Sequence, residues 1–248
     1  LELGYGSDLD LVFLHQCDAN TETSGDKAID SRQFYLKLVQ RILHLCTTRT
    51  ASGVLYDVDT RLRPSGNAGL LTVHIETYRD YLLQDAWTWE HQALVRTRLI
   101  YGDSAIAARF EQVRAEVLGK TRDISKLKDE VLSMRQKLRE HHGVDNTEVK
   151  HTAGGVVDLE FISQYLVLAY GSQYPALYKY SDNIRILDAA AACGILPPEQ
   201  TAALQQAYQD LRGVSHRLTL EPADLTDLPD LSLALAQVQV RWQQVFAT

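Results

Sequence analysis

At 248 residues and 45% hydrophobic, the chain can form one large domain or two modest ones around a real buried core. Its formal net charge of −7 argues against a nucleic-acid partner, because phosphate binding favours a basic face. Cys17, Cys46 and Cys193 are far apart without metal-ligand spacing and read as free thiols in a reducing cytosol, while no apolar stretch of membrane-spanning length and no signal peptide is visible.

The chain begins at Leu1, without a Met and almost inside a strand, so it reads as a fragment truncated at its amino end. Leu9 to Leu14 reads as a strand and the polar run Cys17 to Lys27 as an exposed loop. Asp30 or Ser31 can cap a helix running to about Thr47, with Phe34, Leu38, Ile42 and Leu45 at helical spacing. A second strand is expected over Val54 to Leu62, a turn over Pro64 to Gly69, and a third strand over Leu70 to Val73. From His74 only helical patterns follow, over about His74–Gln84, Trp87–Leu99, Ser104–Leu118, Ile124–His141, Val157–Leu168, Asp182–Cys193, Pro198–Leu220 and Asp230–Val245. Gly143 to Gly155 reads as a loop. The expected fold class is α+β: a small mixed-sheet head over residues 1–119, then an all-helical bundle over residues 120–248, the two meeting at a cleft.

The chemistry concentrates in two segments. In Gly6-Ser7-Asp8-Leu9-Asp10-Leu11 the two aspartates alternate with leucine, so on a strand both point to one face. In Val58-Asp59-Thr60-Arg61-Leu62-Arg63-Pro64 the period of two would also put Asp59, Arg61 and Arg63 on one face. Three carboxylates, Asp8, Asp10 and Asp59, can hold two Mg²⁺ ions, and Arg61 and Arg63 can each grip phosphate oxygens in bidentate fashion. This is equipment for in-line displacement at a nucleotide phosphate. Either arginine can instead form an internal salt bridge. Ser7 either bonds a phosphate or caps the strand turn. The turn at Pro64-Ser65-Gly66 can bring backbone N–H groups towards a ligand. Asp57 reads as a solvated or structural carboxylate.

The segments Leu3–Leu14 and Val58–Gly66, with Trp87-Thr-Trp-Glu-His-Gln-Ala-Leu-Val-Arg-Thr-Arg98 and Gly154-Gly-Val-Val-Asp-Leu-Glu-Phe161, resemble glutamine synthetase adenylyltransferase, from Leu1 to about Leu220. That family belongs to the DNA polymerase β-like nucleotidyltransferases. The resemblance implies transfer of AMP from ATP to a tyrosine of glutamine synthetase with release of pyrophosphate, in the cytoplasm, as part of nitrogen regulation. It implies Asp8, Asp10 and Asp59 as catalytic metal ligands, with Ser7, Arg61, Arg63 and Gly66 at the nucleotide. It also implies the PII regulatory protein as a partner and glutamine as an effector, with no nucleic acid or membrane. The family has two homologous halves, and Gly6–Leu14 and Gln33–Arg41 look more like the carboxyl-terminal, adenylylating one. Two alternatives stay open: phosphorolytic removal of AMP from the modified synthetase, and a non-catalytic module sensing PII or glutamine. The family carries a Gly-Gly pair just before the point where this chain starts.

Trp87 and Trp89 read as core, Met134 as a gap-filler, and His91 as structural. Glu90, Arg96 and Arg98 share a helix but not an i,i+4 spacing, so they need other partners, and the resemblance implies that they support the pocket. Asp158 and Glu160 follow a Gly-Gly turn at a helix start, where the positive dipole end suits carboxylates. The resemblance extends there to the enzyme that uridylylates PII and implies a motif that docks the domains or shapes the cleft. His141 and His142 suit a helix carboxyl end.

Overall fold

The computed structural model of the chain describes residues 3–18, 20–142, 149–220 and 229–246; the side chains of His141 and His142 lie outside this description. Two compact units are present: Gly6–Glu90 with Leu99–Val117, the head, and Leu1–Tyr5 with His91–Arg98 and Leu118–Thr248, the helical unit. Sequence patterns place one cut after Gly119; compactness places it after Val117 and groups His91–Arg98 with the helical unit.

In the head, β1 (Leu9–Asp10) pairs in parallel with β3 (Val58–Asp59), and β2 (Phe13–His15) pairs in parallel with β4 (Thr72–His74). Parallel neighbours need a crossover, which for β1 and β3 includes α1 (Ser31–Thr47). The expected strand Leu9–Leu14 is therefore broken after Asp10, its two pieces serving different partners. The expected strand Val54–Leu62 shrinks to two residues. The Asp59 carboxylate accepts the Arg61 N–H at 2.8 Å, which turns the chain out of the ladder. Asp59, Arg61 and Arg63 accordingly do not share a strand face.

Helix α1 starts where the sequence places it, with the Asp30 carboxylate accepting the N–H groups of Arg32 and Gln33. Its apolar stripe is another matter. Phe34, Leu38 and Leu45 are exposed, while Val39 is buried and Tyr35, Leu36, Ile42, Leu43 and Cys46 are half-buried. Apolar residues recur on two faces of this helix, so periodicity alone does not choose the inner one. Next come α2 (Ile75–Gln84), α3 (Thr88–Arg96) and α4 (Ser104–Leu118). Val39, Val73, Ile75, Tyr78, Leu82, Phe110, Val113 and Val117 are the buried apolar residues of the head. Arg109 bridges to Glu76 at 2.6 Å, and Arg79 pairs with Glu116.

The helical unit contains α5 (Ile124–His142), α6 (Val156–Tyr170), α7 (Asn183–Ala192), α8 (Pro198–Leu220) and α9 (Ser232–Phe246). Helix α6 packs against all four others, and of its residues only Glu160 and Tyr170 are not buried. Such a helix is apolar all round, as a core helix must be. No strand occurs among the described residues after His74. The whole is an α+β chain of a small parallel-stranded head region and a helical remainder.

Candidate active site

The register of the first strand pair sets Asp10 directly beside Asp59. Register partners on adjacent strands lie about 5 Å apart with side chains on the same face. The ladder continues on both sides: Leu9 N–H donates to the Asp57 carbonyl and Leu11 N–H to the Asp59 carbonyl, each at 2.8 Å. Asp8 lies just before the strand and is exposed, like Asp10, Asp57 and Ser7. Exposure is what a carboxylate group that exchanges ligands requires.

Arg61 links these carboxylates. Its Nε donates to Asp59 Oδ2 at 2.6 Å, and its Nη2 also pairs with that oxygen. Its guanidinium also feels Asp10 and Asp8 electrostatically, which with the Asp59 bond raises its pKa. The same bond, helped by the Arg61 backbone N–H, holds the Asp59 carboxyl below its ordinary value. Asp10 and Asp59 thus stand side by side at the carboxyl ends of β1 and β3, with Asp8 at the amino end of β1 and Arg61 bonded to Asp59. As donors, the carboxylates are the hard oxygen type that Mg²⁺ takes. Among the described residues no group of three or more His, Cys, Asp or Glu side chains already stands in ligating array. Asp59 is engaged by Arg61, so a cation would enter by exchange with that guanidinium.

Arg63 is placed differently. It is buried, and its guanidinium donates to the Thr60 carbonyl and hydroxyl, both at 2.6 Å, and to the carbonyls of Gly69 and Asn67. It is the spine of the Thr60–Gly69 loop. Gly66 sits inside that loop in a short 3-10 turn, its N–H donating to the Arg63 carbonyl at 2.9 Å. Gly69 is required by close approach: a Cβ there would stand 1.9 Å from the Pro64 carbonyl oxygen.

Burial and the Glu90 carboxylate push the Tyr81 hydroxyl of α2 up to about 12. That hydroxyl donates to Glu90 Oε1 at 2.8 Å, and Glu90 Oε2 accepts the Trp87 N–H at 2.9 Å. Glu90, whose partners the sequence does not reveal, thus joins the α3 amino end to α2. No sequence signal marks Tyr81; its hydroxyl acquires meaning only once α2 is folded beside α3. Trp87 and Trp89, expected in the core, are exposed at 70% and 38%. Their helix is anchored by Glu90, Leu94 and Val95, which are buried instead.

In the helical unit Asp158 is nearly inaccessible and accepts hydrogen bonds from Arg135 Nε at 2.5 Å, Arg139 Nη2 at 3.0 Å and the Gly154 N–H at 2.7 Å. The helix dipole contributes, but two guanidinium groups dominate this site. Gly154 has φ +76°, and a Cβ there would lie 2.3 Å from the Leu235 carbonyl oxygen. Glu160 pairs with Arg96 at 2.7 Å, and Gln92 donates to Gln164 at 2.9 Å within the same unit. His91 is half-buried and joins no group of metal-type ligands among the described residues. No helix among them is long and apolar enough to cross a membrane.

Comparison with known proteins agrees with this layout. Residues 1–113 match the family model described as glutamate-ammonia ligase adenylyltransferase, and residues 122–230 match the GlnD PII-uridylyltransferase model. Across 250 aligned residues, 99% of this chain, the sequence is 48% identical to a bifunctional glutamine synthetase adenylyltransferase/adenylyl-removing enzyme of Vibrio parahaemolyticus. The chain spans 26% of that relative's length. With two family models matched in order along most of its length, and with this identity, the chain is similar throughout to glutamine synthetase adenylyltransferases.

Proposed function

We propose that the head transfers AMP from ATP to a tyrosine of glutamine synthetase and releases pyrophosphate. The observation that carries this reading is the register of β1 on β3, which sets Asp10 beside Asp59, with Asp8 two residues earlier in the chain and Arg61 bonded to Asp59. Asp8, Asp10 and Asp59 would hold two Mg²⁺ ions. When bound, these supply charge neutralisation at the phosphates and a lowered pKa for the attacking hydroxyl.

The chain's own residues do the rest. Arg61, turning from Asp59 to the triphosphate, meets phosphate oxygens that gain charge as pyrophosphate leaves. Once Arg61 has turned away, Asp59 has an oxygen available to accept the tyrosine proton beside the one that would hold the cation. The tyrosine oxygen bonds to the α-phosphorus as the bond to pyrophosphate breaks. Ser7, before β1, offers its hydroxyl to a phosphate. Arg63 acts indirectly, by keeping the loop that contains Gly66 in shape. In this reading residues 1–119 form the catalytic domain and residues 120–248 a helical domain responsive to PII and glutamine. The second family match supports that assignment.

A second reading has a specific observation behind it, since the relative's name includes adenylyl removal. One experiment separates the two. The chain is incubated with ATP labelled at the α-phosphate, Mg²⁺ and unmodified glutamine synthetase, and label is located by mass spectrometry. Label on a tyrosine, lost in Asp10→Asn, is the expected result. Phosphate-dependent release of ADP from AMP-modified synthetase without forward transfer would assign the opposite direction.

A further inference from the structure

We propose that the helical unit binds a small monocarboxylate with an apolar body, in a cavity between α8 and α9, with Arg241 as the anchor for its carboxylate. The proposal is independent of the nucleotide site. The cavity measures about 270 Å³. An apolar cavity of about 150 Å³ accepts benzene, so this one has room for about ten non-hydrogen atoms. Ala203 and Leu204 of α8 and Ala236 and Val240 of α9 supply apolar walls. Alanine at two of these four positions leaves a gap that longer side chains would fill.

Arg241 is the one charged residue lining the cavity, and no acidic side chain lines it. The residue is half-buried, and burial pushes its guanidinium below the ordinary value, opposed only by Tyr170. Its Nη1 donates to Gln200 Oε1 at 3.1 Å and to Gln244 Oε1 at 3.2 Å, both uncharged amides. Its Nε is buried without a hydrogen-bond partner, and Nη2 donates to nothing among the described residues. Nε and Nη2 are an edge that grips a carboxylate side-on through two parallel bonds. Joining α8 to α9 needs only Nη1, so the other edge has no structural task. A desolvated guanidinium edge without an acceptor is costly, and an anion beside the cavity would remove that cost.

The walls select the rest of the ligand. A carbon chain or ring covers the two alanines, Leu204 and Val240. An ammonium group would find no acidic partner there, and a second carboxylate no second cation. The cavity therefore suits a carboxylate without an amino group over the matching amino acid.

Isocaproate, which is the leucine skeleton without its amino group, tests this directly. It is titrated into the whole chain, against free leucine and the uncharged isocaproamide, while backbone amide shifts are followed by NMR. We expect saturable shifts at Ala203, Leu204 and Val240 with isocaproate, and binding about tenfold weaker for leucine and for the amide. Arg241→Gln should weaken isocaproate about tenfold and leave isocaproamide unchanged, a split that a structural role for Arg241 would not produce. Val240→Trp, at an exposed position, fills the cavity and should abolish binding of both while the unfolding temperature stays in place. Absence of these shifts with isocaproate, or shifts that survive both variants, overturns the proposal. Leucine bound as tightly as isocaproate overturns the ligand class. Should Arg241→Gln not fold, Val240→Trp and the comparison of acid with amide decide the matter.

Discussion

Helices α1 and α6 are of similar length, and both are rich in Leu, Val, Ile and aromatic residues. In α6 thirteen of fifteen residues are buried; in α1 only Ser31 and Val39 are. The same contrast runs through the two units. The helical unit encloses even its charges, with Asp158 locked between Arg135 and Arg139. The head leaves Asp8, Asp10 and Asp57 open and builds each strand from two or three residues. Charges surrounded by protein hold a fold together only through fixed partners, whereas charges that must exchange partners have to remain wet. Stability is therefore expected to reside in the helical unit and chemistry in the head.

The hardest test of that division is Asp158→Ala. It strands Arg135 in a closed environment, and urea unfolding should show a loss of about 3–5 kcal/mol. A loss under 1 kcal/mol would mean that the buried ions contribute little. Asp10→Asn is the mirror experiment. AMP transfer should fall about a thousandfold, near 4 kcal/mol of transition-state stabilisation, while the unfolding midpoint stays in place. Next comes a matched pair of truncations. Leu166→Ala in α6 should cost about 2–5 kcal/mol. Leu38→Ala on the open face of α1 should stay within about 0.5 kcal/mol. Equal costs would erase the contrast between the helices.

The smallest effect concerns pH. Burial, then His74 and Arg32, push His15 of the head below its ordinary value of 6.5, with Asp30 opposing them. His15 also stacks on Tyr35 and takes the Cys17 thiol at 3.0 Å on Nδ1. Above pH 6.5 the ring is neutral in both folded and unfolded chains, so nothing changes. Below it the unfolded chain binds the proton first, and stability falls as pH drops towards the folded-state value. His216 in the helical unit is lowered in the same direction, chiefly by burial. His15→Gln should flatten the stability profile between pH 6.5 and 5, measured by thermal unfolding; an unaltered slope would exclude His15 as its source.

Helices were the legible part of this sequence, because caps and long apolar periods are local signals. Asp30 and α1, or the whole span of α8, follow from neighbours along the chain. Alternation with leucine marks Asp10 as a strand residue, although the strand begins at Leu9 and leaves Asp8 outside it. What escaped was every feature decided by partners distant in sequence. The break after Asp10 depends on two separate strands each claiming a piece of one segment. Arg63 reads as a phosphate ligand or a salt-bridge partner until the loop folds around it. Tyr81 and Glu90 acquire a joint role only through a tertiary contact, and the exposed side of α1 is set by which face meets β3 and β4.

The parallel pairing of Asp10 with Asp59 also governs where this protein can change in length. Both residues are held by backbone bonds between β1 and β3, not by the chain that joins them. Insertions in the polar stretch between Gln16 and Ile29 should leave that alignment untouched. Slippage by one residue at β3 has the opposite consequence. It would set Val58 or Thr60 beside Asp10 and turn the Asp59 carboxylate to the other face. A deletion at Asp57 or Val58 should thus be as damaging as replacing Asp59 itself, although neither residue is assigned a chemical step.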